Sequence, residues 1–195
     1  SLSASTFNDL TINKTAGTAS LSANISLNGS LSVSSGNFDL STFTSNRTAS
    51  GGTLSIANGA MLLIGGSNNF PQNYSTNSPA ASSTVQYNGS GIQTVAGVNY
   101  GNLIFSNGGA SAKSLAASIT INGSITINSG ATFNATTNTI NLWGNWANSG
   151  TFAAGTSTIV LHGSSKTING TTTFNRVTVN GSYSCLLYTS PSPRD

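Results

Sequence analysis

The sequence predicts an all-β chain wound as a β-solenoid, on internal repetition, on short alternating strands, and on repeat lengths that differ by one coil. Residues 25–36 (ISLNGSLSVSSG) return as 119–130 (ITINGSITINSG), and 84–90 (TVQYNGS) return as 158–164 (TIVLHGS). Residues 7–12 (FNDLTI) return as 100–105 (YGNLIF) and again as 174–179 (FNRVTV). Self-similarity in a fixed order, built from short strands and Gly-containing turns, is the signature of a stacked repeat.

The strands follow from period-two alternation rich in β-branched residues. In chain order they are 10–12 (LTI), 25–27 (ISL), 31–33 (LSV), 54–56 (LSI), 61–64 (MLLI) and 85–87 (VQY). They continue at 103–105 (LIF), 119–121 and 125–127 (ITI in both), 139–142 (TINL), 159–161 (IVL) and 177–179 (VTV). Gly, Asn and Ser bound each burst. No window holds the i, i+3, i+4, i+7 spacing of an amphipathic helix.

Asn28-Gly29 and Asn122-Gly123 are hairpin signals, which keeps an antiparallel sandwich open as the alternative. Repeat length favours the solenoid. Phe7 to Tyr100 is 93 positions and Tyr100 to Phe174 is 74, so the first unit carries about twenty extra residues, one coil's worth. A solenoid accepts an added coil because each coil touches only its neighbours. Apolar residues are expected to stack inward and Ser, Thr and Asn to form outward ladders. Gly and Asn at the corners are expected to supply positive φ. Residues 67–82 contain Pro71 and Pro79, which cannot donate ladder hydrogen bonds, and predict a loop leaving one face.

Ser, Thr, Asn and Gly exceed half of the 195 residues, while charged residues are 5% and Glu is absent. With 36% hydrophobic residues in alternation, a packed fold is favoured over disorder. The net charge of +3 comes from bases scattered along the chain, so no nucleic-acid partner is expected. No apolar run suggests membrane insertion by this segment, and no basic, apolar leader is visible at the start. Residues 185–195 (CLLYTSPSPRD) break from the upstream texture and resemble the translation of a sequencing-library adapter. The expected native segment is therefore 1–184, an interior piece of a longer protein open at both ends, and the sole Cys185 falls outside it.

Residues 83–106 (STVQYNGSGIQTVAGVNYGNLIFS) and 144–164 (GNWANSGTFAAGTSTIVLHGS) resemble the repeats of large bacterial surface proteins of the adhesin-like β-helix group, including those of Bacteroidota. The resemblance is one of texture and covers nearly all of residues 6–182. It implies a right-handed parallel β-helix, secreted or displayed at the cell surface, acting as a stalk or adhesin.

The residues offer little chemistry. Asp9 aligns with Asn102 and Arg176, and Asp39 with Asn134, so neither slot requires a carboxylate. A glycosidase needs two convergent carboxyl groups, and this pair has no reason to meet. His162, the only histidine, aligns with Asn88 and has no Cys or acid nearby in sequence for a zinc site or a triad. No catalytic residue, metal site or cofactor is expected. Trp143 and Trp146, flanking Gly144-Asn145, are the candidate glycan contacts; the competing expectation is that one or both fill the core. The predicted function is a non-enzymatic structural or adhesive module, extracellular or on the cell surface, with surface glycans or a host or neighbouring cell surface as partner. The open ends also predict end-to-end self-association. The alternative is a carbohydrate-binding accessory region of a polysaccharide-degrading enzyme.

Overall fold

The structure is a computed structural model that describes residues 2, 5–107 and 111–185. It is all-β, without helix, and its parallel strands stack as a β-solenoid of about 9 turns. Every strand pairing among the described residues is parallel, which excludes the hairpin sandwich. The Asn-Gly dipeptides at 28–29 and 122–123 turn the chain onto the next face of the same coil, not back along its neighbour.

Each coil presents three faces. Strand Leu31–Asp39 defines the first corner, because Leu31, Ser32 and Val33 pair with Leu54, Ser55 and Ile56, whereas Asn37, Phe38 and Asp39 pair with Met61, Leu62 and Leu63. Face A holds the start of that strand, then Gly51–Ile56 and Tyr74–Pro79, and farther along Ile119–Ile121, Thr139–Leu142, Thr158–Leu161 and Arg176–Val179. Face B runs through Met61–Ile64, Thr84–Tyr87, Asn102–Phe105, Ile125–Ile127, Trp146–Asn148, Lys166–Asn169 and Tyr183–Cys185. Face C is made of two separate sheets. One holds Ser5–Phe7, Ile25–Leu27 and Ser45–Arg47; the other holds Gln93–Val95, Lys113–Leu115, Thr132–Asn134 and Thr151–Ala153. Ile119, Ile140, Ile159 and Val177 stand in one column, so a coil takes about twenty residues.

The core is continuous from end to end. Inward columns of Leu, Ile and Val run through it. An aromatic series of Tyr87, Phe105, Phe133 and Phe152 fills its centre, with Phe105 and Phe133 stacked at a centroid distance of 4.2 Å. Such columns bury apolar surface at about 25 cal/mol per Å², and parallel register makes each coil the template for the next.

Three expectations are corrected. Residues 67–82 do not leave the solenoid: Tyr74–Pro79 is a strand paired with Gly51–Ile56, and Phe70, Pro71 and Tyr74 are buried. Pro79 is tolerated because it ends a strand whose other edge carries no ladder. Positive φ is found as expected at Gly36, Gly59, Gly130, Gly155, Asn73 and Asn107, but the corner glycines at 123, 144, 163 and 181 do not have it. They are glycine because the coils approach too closely there; a Cβ on Gly144 would overlap the carbonyl of Gly123, and one on Gly181 the carbonyl of Gly163. Finally, the sequence repeat and the coil are out of step. Strand 25–27 lies on face C and its sequence equivalent 119–121 on face A, while 84–87 lies on face B and its equivalent 158–161 on face A. The length of one repeat unit is not a whole number of coils, so residues aligned between successive units turn up one face apart.

Of residues 185–195, only Cys185 lies within the described residues, where it ends strand Tyr183–Cys185 and is exposed. No helix among the described residues is long and apolar enough to cross a membrane.

Candidate functional site

The corner between faces A and B is where the unusual side chains of this chain meet the surface. Leu142 and Leu161 are paired inward residues of neighbouring coils, so the residues after them, Trp143 and His162, fall one above the other. Backbone bonds hold that register: Trp143 N donates to Ile121 O at 3.0 Å and His162 N to Leu142 O at 2.8 Å. The two rings stack with centroids 4.7 Å apart and planes 15° from parallel. His162 Nε2 also lies 3.1 Å from Asn141 Oδ1. Trp143 is 48% exposed, leaving the outer side of the stack to solvent.

The tryptophans therefore do not form one platform. Trp146 is fully buried. It occupies an inward position on face B between Ile125 and Ile168, and its ring meets Phe152 and Phe174 edge-on at 4.8 and 5.0 Å. Its Nε1 donates to Thr172 Oγ1 at 3.1 Å, which satisfies the one polar atom of the indole. Trp143 alone remains as a candidate glycan contact, and His162, which pattern alone marks as a strand-end residue, is its partner.

Below this stack runs a polar ladder that accounts for the recurring Asn-Gly-Ser texture. Ser124 N donates to Asn102 Oδ1, Asn145 N to Ser124 Oγ, and Thr167 N to Asn145 Oδ1, each at 2.9 to 3.0 Å. Each side chain accepts the amide of the coil above, where the glycine corner interrupts the strand ladder. In the preceding repeat Asp9 has the same role, accepting from Ser30 N at 2.6 Å. Asp39 Oδ1 accepts from Ser41 N at 2.8 Å in its own turn. Both carboxylates are engaged by backbone amides, Asp9 between coils and Asp39 within its own turn.

Sequence reasoning missed a polar cluster inside the core. Gln93 and Lys113 are paired inward residues on face C, and both are fully buried. They hold Gly89 by the peptide groups on either side of it: Gly89 N donates to Gln93 Oε1 at 3.0 Å, and Lys113 Nζ donates to Gly89 O at 2.9 Å and to Asn107 O at 3.1 Å. Burial holds the Lys113 ammonium below the ordinary lysine range. Nearby, Tyr87 and Tyr100 clamp Ala96. Ala96 N donates to Tyr87 Oη at 3.2 Å, Tyr100 Oη donates to Ala96 O at 2.9 Å, and the two hydroxyls lie 3.2 Å apart. Desolvation pushes Tyr87 up to about 12, and Tyr100 is raised by desolvation and then by its neighbour Tyr87. All four groups are closed off from solvent and serve the fold.

No group of three or more His, Cys, Asp or Glu that could hold a metal ion occurs among the described residues. Comparison with known protein families, with curated proteins and with solved structures finds no match in any of the three. What bears on function is the solenoid, its outer polar ladders and the Trp143–His162 corner.

Proposed function

We propose that this chain is a structural repeat module of a secreted or cell-surface bacterial protein, a stiff rod that holds other parts of the protein away from their anchor. The observation that carries the reading is the continuous core. Inward columns pass through about 9 turns, and each coil is fixed to the next by a strand ladder on its faces and by side-chain-to-amide bonds at its corners. A quasi-one-dimensional stack of this kind resists bending and shear along its whole length. Its outer columns are small, neutral and hydrogen-bonding, as in Ser32–Ser55–Ser78, which suits a surface exposed to salt and proteases. The likeness of the sequence to adhesin-like surface repeats supports the extracellular assignment.

A second reading, weak multivalent binding of surface glycans, is favoured by the exposed Trp143 ring held flat on His162. An aromatic face fixed in one orientation offers a stacking surface to a sugar ring at little entropic cost.

The test of the first reading is to determine the full gene and to label intact cells that carry it with antibody against this chain. Labelling of intact cells, with the frame running into further repeats and an export or anchoring domain, is the expected result. A frame that leads into a catalytic domain, or antigen found only after lysis, overturns it.

A further inference from the structure

Face C is interrupted. The sheet ending at Ser45–Arg47 and the sheet beginning at Gln93–Val95 are not joined by a strand, and residues 68–73 cross the gap between them. Side chains supplement a sparse backbone ladder there: beside the backbone bond from Arg47 N to Gln72 O at 3.1 Å, Gln72 N donates to Asn46 Oδ1 at 2.9 Å, Asn73 Nδ2 to Arg47 O at 2.9 Å, and Thr94 N to Asn69 Oδ1 at 2.6 Å. Pro71, which has no N–H, sits in the middle of the crossing. The result is a cleft of about 420 Å³, within the usual size for small-molecule sites.

Asn77 lines this cleft and stands where the fold calls for a leucine. Its register partners down face A are Leu54, then Leu31, then Leu10, all inward-facing. Asn77 Oδ1 is buried and has no hydrogen-bond partner among the described residues. A half-buried position that breaks the leucine column and leaves a buried acceptor atom unsatisfied departs from the apolar rule, and such breaches concentrate at functional sites. The other walls are uncharged. Gln72, Asn73 and Thr94 bring amide and hydroxyl groups, while Pro71, Ala96 and Val98 bring apolar surface. The one ionisable group, Tyr74, has already committed its hydroxyl to Ser45 O at 3.0 Å.

We infer that this cleft is a binding site for a neutral saccharide unit, with Asn77 Oδ1 accepting from a sugar hydroxyl and the ring's C–H face resting on Pro71 and Val98. A neutral ligand matches walls without formal charge. Several hydroxyls match the mix of amide donors and acceptors, and a C–H face matches the apolar portion. The inference goes beyond the rod reading and does not rest on it.

The experiment is titration of the ¹⁵N-labelled chain with methyl pyranosides of glucose, galactose, mannose and N-acetylglucosamine, with methyl glucuronide as the charged comparison. Saturable amide shifts over 69–77 and 94–98 with at least one neutral sugar are expected. Asn77→Leu should weaken that binding about tenfold or more, the worth of one buried hydrogen bond. Because Asn77→Leu completes a leucine column, it should also keep or raise the melting temperature. Gln72→Ala at the rim, which leaves the core untouched, should weaken binding as well. The inference is overturned if no neutral sugar shifts these amides, if the shifts gather at Trp143 and His162 instead, if glucuronide binds as well as the neutral sugars, or if both variants bind like the parent.

Discussion

Trp143 lies flat on His162, ring over ring at 4.7 Å, on a corner where the stacking of coils fixes both side chains in place. Three residues on, Trp146 is sealed inside the aromatic core. The two tryptophans should therefore report on different environments. Iodide is expected to quench the fluorescence of Trp143 and spare that of Trp146, as measured in the single-tryptophan variants Trp146→Phe and Trp143→Phe. Stability should divide the same way. Trp146→Ala should cost about 3–5 kcal/mol, the range for large buried aromatics. Trp143→Ala should cost about 1 kcal/mol or less in chemical denaturation, since it loses one partly exposed stack.

The glycine corners make a sharper prediction, because two physical reasons for glycine occur in this chain and can be separated. Gly144→Ala places a methyl group against the Gly123 carbonyl and the Ser124 amide of the coil beneath, both of them backbone. The coils must part, and a loss of about 2 kcal/mol or more is expected. Gly130→Ala meets open space but sits at φ +75°, so only left-handed backbone strain opposes it. That strain is about 1 kcal/mol. Thermal melts of the two variants should rank in this order.

Much of the fold was legible because alternation and repetition report inward columns directly. Each of the twelve bursts of alternating residues lies within a strand, from Leu10 to Ile12 through to Val177 to Val179. The strands that escaped notice belong mostly to face C, such as Ser45–Arg47, Gln93–Val95 and Lys113–Leu115. They are three residues long and polar, and only the register of the coil beneath makes them strands. Propensity cannot see them, since tertiary pairing overrides it. The same limit hid the buried Gln93–Lys113 pair and the leucine column that Asn77 interrupts, which exist only once coils are stacked. The Asp9 and Asn102 slot was legible in the aligned repeats, and both residues accept an amide from the coil above. The repeat alignment could not tell faces apart, because its period is not a whole number of coils.

The buried tyrosines predict how the fold fails in base. Tyr87 ionises at about 12 when folded and at 10.0 when free, so its raised value stabilises the fold fully below pH 10. That contribution is lost as pH rises from 10 through 12, and at about 1.4 kcal/mol per pH unit the loss is about 2–3 kcal/mol. Tyr100 shifts in the same direction and deepens the fall. The double variant Tyr87→Phe/Tyr100→Phe should be less stable at pH 7, having lost the clamp on Ala96, yet show a flatter decline between pH 10 and 12. Urea unfolding across that interval measures both effects. A decline as steep as the parent's would assign alkaline sensitivity to other groups.

Val177 and Val179 continue the inward columns of Ile159 and Leu161, yet they are 43% and 56% exposed. They extend a core that the described residues leave uncovered at that end, and among the described residues no strand pairs with the outer edge of Arg176–Val179. Parallel coils template one another, so a second copy of this chain can add to such an edge as the next coil would. The 195-residue chain is therefore expected to associate end to end, with a sedimentation coefficient that rises with concentration. Val177→Lys/Val179→Lys puts two like charges into columns that must stack in register, and it should return the chain to monomer without altering its β-rich circular dichroism. A parent chain that sediments as a monomer at every concentration would show that this end is closed in solution.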